Sequence, residues 1–251
     1  PMDSTTVQKR QHLEESLWHL AQIRPLPAAE FKTVPDQDWM TAWKQHYKPI
    51  PVGQKLLILP AWLESTYPDR VAIKIDPSMA FGTGSHPTTQ LCLALLEKYV
   101  QPGKPVIDVG CGSGILSIGA IKMGANAALA VDIDAASVRA TDENAAANEV
   151  GDQITAALGS IEEILQGQYF VRHAPLVLAN ILAPVLVRLF NEDLAKLITP
   201  GGVILLSGIL IEQATEVEVE AGSHGLKLLE RMTIGDWIAL AFQKPAKSTQ
   251  L

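Results

Sequence analysis

The chain has 251 residues, 47% of them hydrophobic and 19% charged, and this balance excludes disordered and fibrous proteins. The length allows one large domain or one domain with an appendage. The net charge of −7 and the pI of about 5.4 argue against direct nucleic-acid binding, because such proteins neutralise phosphates with basic patches. An acidic enzyme can still bind a basic protein substrate.

The start of the chain and its apolar runs favour a cytoplasmic protein. Residues 1–12 are mostly polar and contain no apolar signal region. The longest strongly apolar run, residues 203–211, is too short to span a bilayer, so we expect no membrane contact. The two cysteines, Cys92 and Cys111, do not suggest a disulfide framework, and no ligand spacing predicts a metal site.

The front of the chain predicts two helices and a linker. Apolar residues at helical spacing predict a helix over residues 5–23, which ends before two prolines. Residues 24–35 then form a linker, and Asp36 is suited to cap a short helix that carries Trp39 and Trp43 on one face. We interpret these tryptophans as core anchors, with a ligand platform as the alternative.

The next segment contains an unusual loop. Two strands are predicted over residues 55–59 and 71–75. Residues 76–89 are rich in glycine, hydroxyl groups and proline, too long and too particular for a simple turn, and a helix follows from Thr89 to about Tyr99. We expect Gly82 and Gly84 to let this loop close over a bound ligand. Phe81 then shields the site from water, or it is an ordinary core residue.

A glycine-rich turn follows an apolar run at residues 106–109. Gly110, Gly112 and Gly114 alternate there and lead into a helical pattern, which predicts a strand, a tight turn and a helix with a cofactor across the turn. Asp132 comes 22 positions after Gly110 and ends the next apolar run. At the end of the neighbouring strand its carboxylate can accept hydrogen bonds from a ribose.

The glycine spacing separates two classes of cofactor. A dinucleotide fingerprint needs its third glycine at position 115, which is Ile115, whereas here it comes one residue early at Gly114. The pattern is similar instead to the first motif of Rossmann-like methyltransferases that use S-adenosylmethionine. The alternative is a tight connection with no ligand.

Strands and helices alternate over the second half of the chain, and the strands are near-continuous apolar runs. This pattern predicts an α/β fold with a mostly parallel sheet and helices on both faces. Gly235 and Asp236 favour a hairpin at the end, which gives the sheet an antiparallel C-terminal edge. The seven predicted strands lie near residues 105–109, 127–132, 154–158, 175–179, 202–206, 227–233 and 237–243.

Three segments form a distinctive combination. They are the loop Asp-Pro-Ser-Met-Ala-Phe-Gly-Thr-Gly-Ser-His-Pro-Thr-Thr at residues 76–89, the turn Asp-Val-Gly-Cys-Gly-Ser-Gly at 108–114, and Asn-Ile-Leu-Ala at 180–183. Together they resemble the ribosomal protein L11 methyltransferases, the PrmA family. The resemblance extends from about Asp36 to the C-terminus, and the loop is its most specific part.

The resemblance implies a Rossmann-like methyltransferase fold and an enzyme that uses S-adenosylmethionine. Such an enzyme methylates lysine side chains and the N-terminal amine of a large-subunit ribosomal protein, L11. Family members carry a small domain at the front that recognises this protein, so residues 1–35 are interpreted as its remnant and residues 36–251 as the methyltransferase domain. The cofactor-binding residues that the resemblance implies are Thr89, Gly110, Gly112, Asp132, Ile133 and Asn180.

Methyl transfer to an amine gives one residue a special role. The amine must be neutral, although lysine has an unperturbed pKa near 10.4. Asn180 can accept an amine N–H through its carboxamide oxygen without a charge that would stabilise ammonium, so we predict it to be the catalytic residue; the alternative is a cap at the strand end.

Two other residues are candidates for a chemical role. His86 could relay the proton or bond to the loop backbone. Cys111 is a candidate nucleophile, but packing against the turn is the stronger interpretation.

Three other functions remain open from the sequence. One is a methyltransferase that acts on another amine or amide nitrogen, although such families usually have an aromatic residue where this chain has Ile181 to Ala183. Another is a nicotinamide-dependent oxidoreductase, which the position of Gly114 disfavours. The third is a protein that binds the cofactor without turnover.

Overall fold

The computed structural model describes residues 4–21, 47–76 and 84–246, with the side chains of the first range described over residues 9–17. The chain divides into two units, Pro1–Tyr47 and Lys48–Leu251. In the first unit the predicted helix is present as α1, Ser4–Ala21. The predicted linker, the helix with Trp39 and Trp43, and the domain boundary after residue 35 lie outside the described residues. No helix in the described ranges is both long and apolar enough to cross a membrane.

The second unit alternates strands with helices. Its strands are β1 Ile50–Val52, β2 Leu56–Pro60, β3 Val71–Ile75, β4 Pro105–Val109, β5 Ala127–Asp132, β6 Ile154–Leu158, β7 Ala174–Asn180, β8 Ile198–Leu210, β9 Lys227–Ile234 and β10 Trp237–Gln243. Its helices are α2 Pro87–Tyr99, α3 Ile115–Lys122, α4 Ala135–Ala147, α5 Ile161–Leu165, α6 Ala183–Asn191 and α7 Ala214–Ser223.

Seven strands form the main sheet in the order β6, β5, β4, β7, β8, β10, β9. The first five run parallel to one another, and β10 pairs antiparallel with both β8 and β9. The predicted mostly parallel sheet and its antiparallel C-terminal hairpin are confirmed. The strand order reverses between β4 and β7, which is where open α/β sheets of this kind bind ligands.

The central strands are apolar because both faces of the sheet are covered. In β4, Val106 contributes to the core on one face, whereas Ile107 and Val109 contribute to the core on the other. Successive side chains of a strand point to opposite faces, so an unbroken apolar run buries residues on both. Most of the large residues in these cores, such as Phe190 and Phe242, are at most 1% exposed.

A separate three-stranded sheet precedes the main sheet. The strands predicted at residues 55–59 and 71–75 are its β2 and β3, whereas β1 was not predicted. Its strands lie in the order β1, β2, β3, with β1 antiparallel and β3 parallel to β2. Glu97 of α2 joins it to the rest of the fold, because its carboxylate accepts hydrogen bonds from the backbone N–H groups of Gln54, Lys55 and Leu56 at 2.8–2.9 Å.

Helix α2 begins two residues earlier than predicted, at Pro87 and not at Thr89. His86 caps it, since its Nδ1 accepts a hydrogen bond from the Thr88 N–H at 3.4 Å, and proline at the first helical position has no N–H to satisfy. This start places Thr88 and Thr89 in the first turn of the helix.

Candidate functional site

A cavity of about 490 Å³ lies at the carboxyl ends of the parallel strands. The parallel strands and the loops that follow them contribute most of its wall, and the start of α2, helices α4 and α6 and strand β10 contribute the rest. This volume is in the range of cavities that hold a cofactor-sized ligand. The residues that line it are His86, Thr88, Val109, Gly110, Gly112, Asp132, Ile133, Ser137, Gly159, Ser160, Asn180, Ile181, Leu182, Val185, Arg188, Leu189, Gly208 and Trp237.

The glycine-rich turn forms the floor of the cavity. The N–H groups of Gly110 and Cys111 both donate to the carbonyl of Val131, at 2.8 and 3.1 Å, so the turn is bonded to the end of β5. Gly110 has φ +73°, and a Cβ there would lie 2.7 Å from Cδ1 of Ile181, another residue of the wall. A side chain at position 110 would therefore be strained and would push Ile181 out of place.

Asp132 presents a carboxylate that two backbone groups hold in place. Its Oδ2 accepts from the Gly112 N–H at 3.0 Å and its Oδ1 from the Asp134 N–H at 2.9 Å. A carboxylate has about four acceptor sites, so each oxygen retains the capacity to accept a ligand hydroxyl. Asp132 is the one carboxylate among the described residues that line the cavity.

Ile133 lies beside this carboxylate and is 79% exposed. A large aliphatic side chain this open to water, in the wall of a cavity, offers an apolar surface for a flat ligand group. Leu182, at 63% exposed, is a second apolar residue of the same wall. The cavity thus combines one carboxylate with apolar surface, the combination that suits a nucleoside.

Asn180 ends β7 and contacts the cavity with its carboxamide. Its Nδ2 donates to Oγ1 of Thr89 at 3.4 Å. No hydrogen bond to Asn180 Oδ1 is present within residues 47–76 and 84–246. The contact with Thr89 therefore directs the donor end of the amide into the protein and leaves the acceptor end for a ligand.

The structure brings five of the six predicted binding residues into the cavity wall: Gly110, Gly112, Asp132, Ile133 and Asn180. Thr89 does not line it, because its side chain is completely buried beneath Asn180. Its neighbour Thr88 faces the cavity instead. Two adjacent residues on a helix point about 100° apart, so the sequence Thr-Thr alone does not tell which of them reaches the ligand.

His86 and Trp237 form an aromatic pair in the wall. Their ring centroids are 4.7 Å apart and the rings meet at 72°, edge to face. Nδ1 of His86 also lies 2.8 Å from Oγ1 of Thr88, so the ring is held by the start of α2. These contacts are of the kind expected for a structural role, and the proton relay considered for His86 stays a prediction.

Asp108 opens the motif but lies beneath the turn, fully buried. Ser117 donates to its Oδ2 at 2.7 Å, while Oδ1 has no hydrogen-bond partner among the described residues. Burial raises the pKa of the Asp108 carboxyl from 3.8 to about 7; the hydrogen bonds from Ser117 oppose this and the charge of Asp132 adds to it. Around neutral pH the group is close to its titration midpoint.

Cys111, which the sequence predicted to pack against the turn, is buried and lies beside α4. Oγ1 of Thr141 lies 3.3 Å from its Sγ. Burial, followed by the charge of Asp108, raises the pKa of the Cys111 thiol, so the nucleophilic thiolate is disfavoured. The geometry favours a packing role over a nucleophilic one.

Several wall residues were missed by the sequence reasoning. Gly159 and Ser160 follow β6 just as Asp132 ends β5, so the strand-end rule that found Asp132 could have found them too. Trp237 and Gly208 had no such signal, because the first lies in the hairpin strand and the second within the long β8.

Comparison with known proteins identifies the family to which the chain belongs. The family model "Ribosomal protein L11 methyltransferase (PrmA)" matches residues 2–245. The chain belongs to this family. The ribosomal protein L11 methyltransferase of Chloroflexus aurantiacus is 42% identical over 265 aligned positions, covering 98% of this chain and 80% of that protein. The one from Synechococcus sp. (strain RCC307) is 46% identical over 221 positions, covering 87% and 73%.

A solved structure agrees with the family assignment. The crystal structure of a ribosomal protein L11 methylase from Lactobacillus delbrueckii subsp. bulgaricus superposes with a TM-score of 0.69 at 34% identity, covering 79% of this chain and all of that one. The predicted membership in the L11 methyltransferase family is confirmed, and with it the assignment as a protein methyltransferase of Rossmann-like fold.

Proposed function

We propose that this protein transfers methyl groups from S-adenosylmethionine to amino groups of ribosomal protein L11, both lysine side chains and the N-terminal amine. Family membership supports the substrate. The observation that carries the chemistry is the cavity, in which the glycine turn, the Asp132 carboxylate and the Asn180 carboxamide face a common space.

The described residues fit the proposed cofactor. Asp132 is held by two backbone N–H groups with acceptor capacity to spare, which suits the two hydroxyls of a ribose. Ile133 offers an exposed apolar surface for the adenine. The turn at Gly110 brings bare backbone to the cavity, which suits the amino-acid end of the cofactor.

S-adenosylmethionine supplies an electrophilic methyl group on a sulfonium when it is bound. The protein's part is to present a neutral amine in line with that methyl, since alignment at near-contact distance provides much of the acceleration of such displacements. We assign this positioning to Asn180 Oδ1, which is a neutral acceptor. A carboxylate in its place would stabilise the unreactive ammonium form.

The surroundings of Asn180 help to exclude water. Ile181 and Leu182 follow it directly, and Trp237 lies in the same cavity wall. Removing water from the amine disfavours its charged form, so these apolar groups support deprotonation of the substrate. We propose, from the family resemblance, that the methyltransferase domain spans residues 36–251, which contain every described residue of the wall, and that the protein acts in the cytoplasm.

Incubation with methyl-labelled S-adenosylmethionine and purified L11 tests this function. We expect label in L11 at amino groups, located by mass spectrometry of its peptides. A thermal-shift assay run in parallel should show stabilisation by S-adenosylhomocysteine and none by NAD. Stabilisation by S-adenosylhomocysteine without label in L11 would indicate a protein that binds the cofactor without turnover. Stabilisation by NAD alone would favour the oxidoreductase.

A further inference from the structure

Helix α4 and the residue that caps its C-terminus, Asn148, carry three buried polar side chains along one face. Thr141, Asn144 and Asn148 are at most 6% exposed, and they follow one another at helical spacing on the side that packs into the protein. Buried amide and hydroxyl groups are unfavourable unless they are hydrogen-bonded. All three have partners in other elements, which are the glycine turn and the end of β3.

The backbone carbonyl groups of the glycine turn accept hydrogen bonds from side chains of α4. Asn144 Nδ2 donates to the Ser113 carbonyl at 2.9 Å, and Thr141 Oγ1 donates to the Gly112 carbonyl at 3.1 Å. The approach is close, because a Cβ on Gly114 would lie 2.8 Å from Cγ2 of Thr141, and Gly114 has φ +77°. The helix therefore sets the position of the turn on the side away from the cavity.

The end of β3 is fastened to the same helix. Asn144 Oδ1 accepts from the Asp76 N–H at 3.3 Å, and Asn148 bonds to the Lys74 N–H at 2.8 Å and to its carbonyl at 2.6 Å. Carbonyls only accept and N–H groups only donate, so the orientation of both amides is determined. Asn144 alone of these two asparagines contacts both the turn and β3.

We propose that Asn144 is a positioning residue that holds the cofactor-binding turn against the end of β3. It does not line the cavity and acts through the backbone of Ser113. This inference rests on the proposed function, since the turn is assigned there to S-adenosylmethionine. The expected consequence is that loss of the Asn144 carboxamide weakens cofactor binding more than it weakens the fold.

Asn148 provides a matched control. It is the same residue type, caps the C-terminus of the same helix and also bonds to β3, but it has no hydrogen bond to the turn. We expect Asn144→Ala to weaken binding of S-adenosylhomocysteine about tenfold by calorimetry, the size of one buried hydrogen bond. Asn148→Ala should lower the melting temperature and leave the dissociation constant within about twofold of wild type. The KM for S-adenosylmethionine should rise in the Asn144 variant with kcat little changed.

Asn144→Asp separates the two bonds of this residue, because a carboxylate still accepts from Asp76 but cannot donate to Ser113. It should lose affinity as Asn144→Ala does, and Asn144→Ser, which is uncharged, replaces both variants if they do not fold. In the ligand-free protein, hydrogen exchange over residues 110–114 should be faster in both Asn144 variants than in Asn148→Ala. This exchange measurement tests the role of Asn144 independently of ligand binding. If the wild-type protein binds no S-adenosylhomocysteine, that result refutes the proposed function and not the role of Asn144. Equal affinity losses at positions 144 and 148, or unchanged exchange in the turn, would overturn the proposal.

Discussion

Asn180 joins the buried start of α2 to the open cavity. Its amide nitrogen bonds to Thr89 and its oxygen is directed to the ligand side. A strand-end position made this residue predictable, since parallel strands place their carboxyl ends at one edge. The partner Thr89 was not predictable in this role, because the register of α2 depends on the His86 cap.

Replacing Asn180 by alanine should lower methylation of L11 at least about a hundredfold, as expected when the group that positions a reacting amine is removed. The fold should persist, because Asn180 is only half-buried. Labelled transfer assays with circular dichroism melting measure both. The control is Asn191→Ala at the exposed end of α6, which should have near-normal activity; near-normal activity in Asn180→Ala would refute its catalytic role.

Asp108 gives a pH dependence of stability. Because burial raises its pKa from 3.8 to about 7, the folded state retains this proton over a pH range in which the unfolded chain has lost it. The contribution to stability is therefore complete below about pH 4 and is lost as the pH rises toward 7. Urea unfolding at pH 4.5 and 7.5 measures this. Between these two pH values the free energy of unfolding should fall more for the wild type than for Asp108→Asn. An equal pH response of the two proteins would show that Asp108 titrates normally.

Among the elements, the glycine turn and the strands around it followed most directly from the sequence. Strands β4 to β7 are short apolar runs that end at turns or polar residues, and β4 ends just before Gly110. The local sequence pattern therefore predicted their bounds to within a residue or two. In the three-stranded sheet, β2 and β3 were predicted as strands, but β1 has only three residues, and the parallel pairing of β2 with β3 was not predicted. The hydrogen bonds that Glu97 accepts were not predictable either, because it lies more than 40 positions from the residues that donate them.

Glu97→Ala should destabilise the protein by removing the contact between α2 and the three-stranded sheet. It removes a carboxylate that accepts three backbone hydrogen bonds, so we expect the free energy of unfolding to fall by about 2 kcal/mol. Cofactor affinity should not change, since Glu97 is not part of the cavity wall. Urea denaturation and calorimetry measure the two effects, with the exposed Glu143→Ala on α4 as control. A Glu97 variant as stable as the control would contradict this assignment.

The whole molecule consists of two units, and the described cavity wall comes entirely from the second, between His86 and Trp237. The alternation of strands and helices made the layered architecture of this unit predictable, and the net charge of −7 suits a basic protein substrate. A part for residues 1–35 in recognition was implied only by the family resemblance, because they contain one pattern of helical spacing and no motif that indicates chemistry.

A chain that begins at residue 48 should therefore bind S-adenosylhomocysteine with a dissociation constant within about threefold of the full chain, a difference of less than 1 kcal/mol. If the first unit takes part in recognition, as residues 1–35 were interpreted, the KM for L11 should rise while cofactor affinity is retained. Calorimetry and initial-rate kinetics measure the two quantities. Loss of cofactor affinity in a shortened chain that remains folded would show that the site extends into the first unit.

The most direct test of the central claim is a crystal structure of the protein with S-adenosylhomocysteine. We predict the ribose on the Asp132 carboxylate, the amino-acid end over the turn at Gly110 and Gly112, and the sulfur within reach of Asn180. A ligand bound elsewhere, or a cavity that stays empty at saturating concentration, would contradict the account.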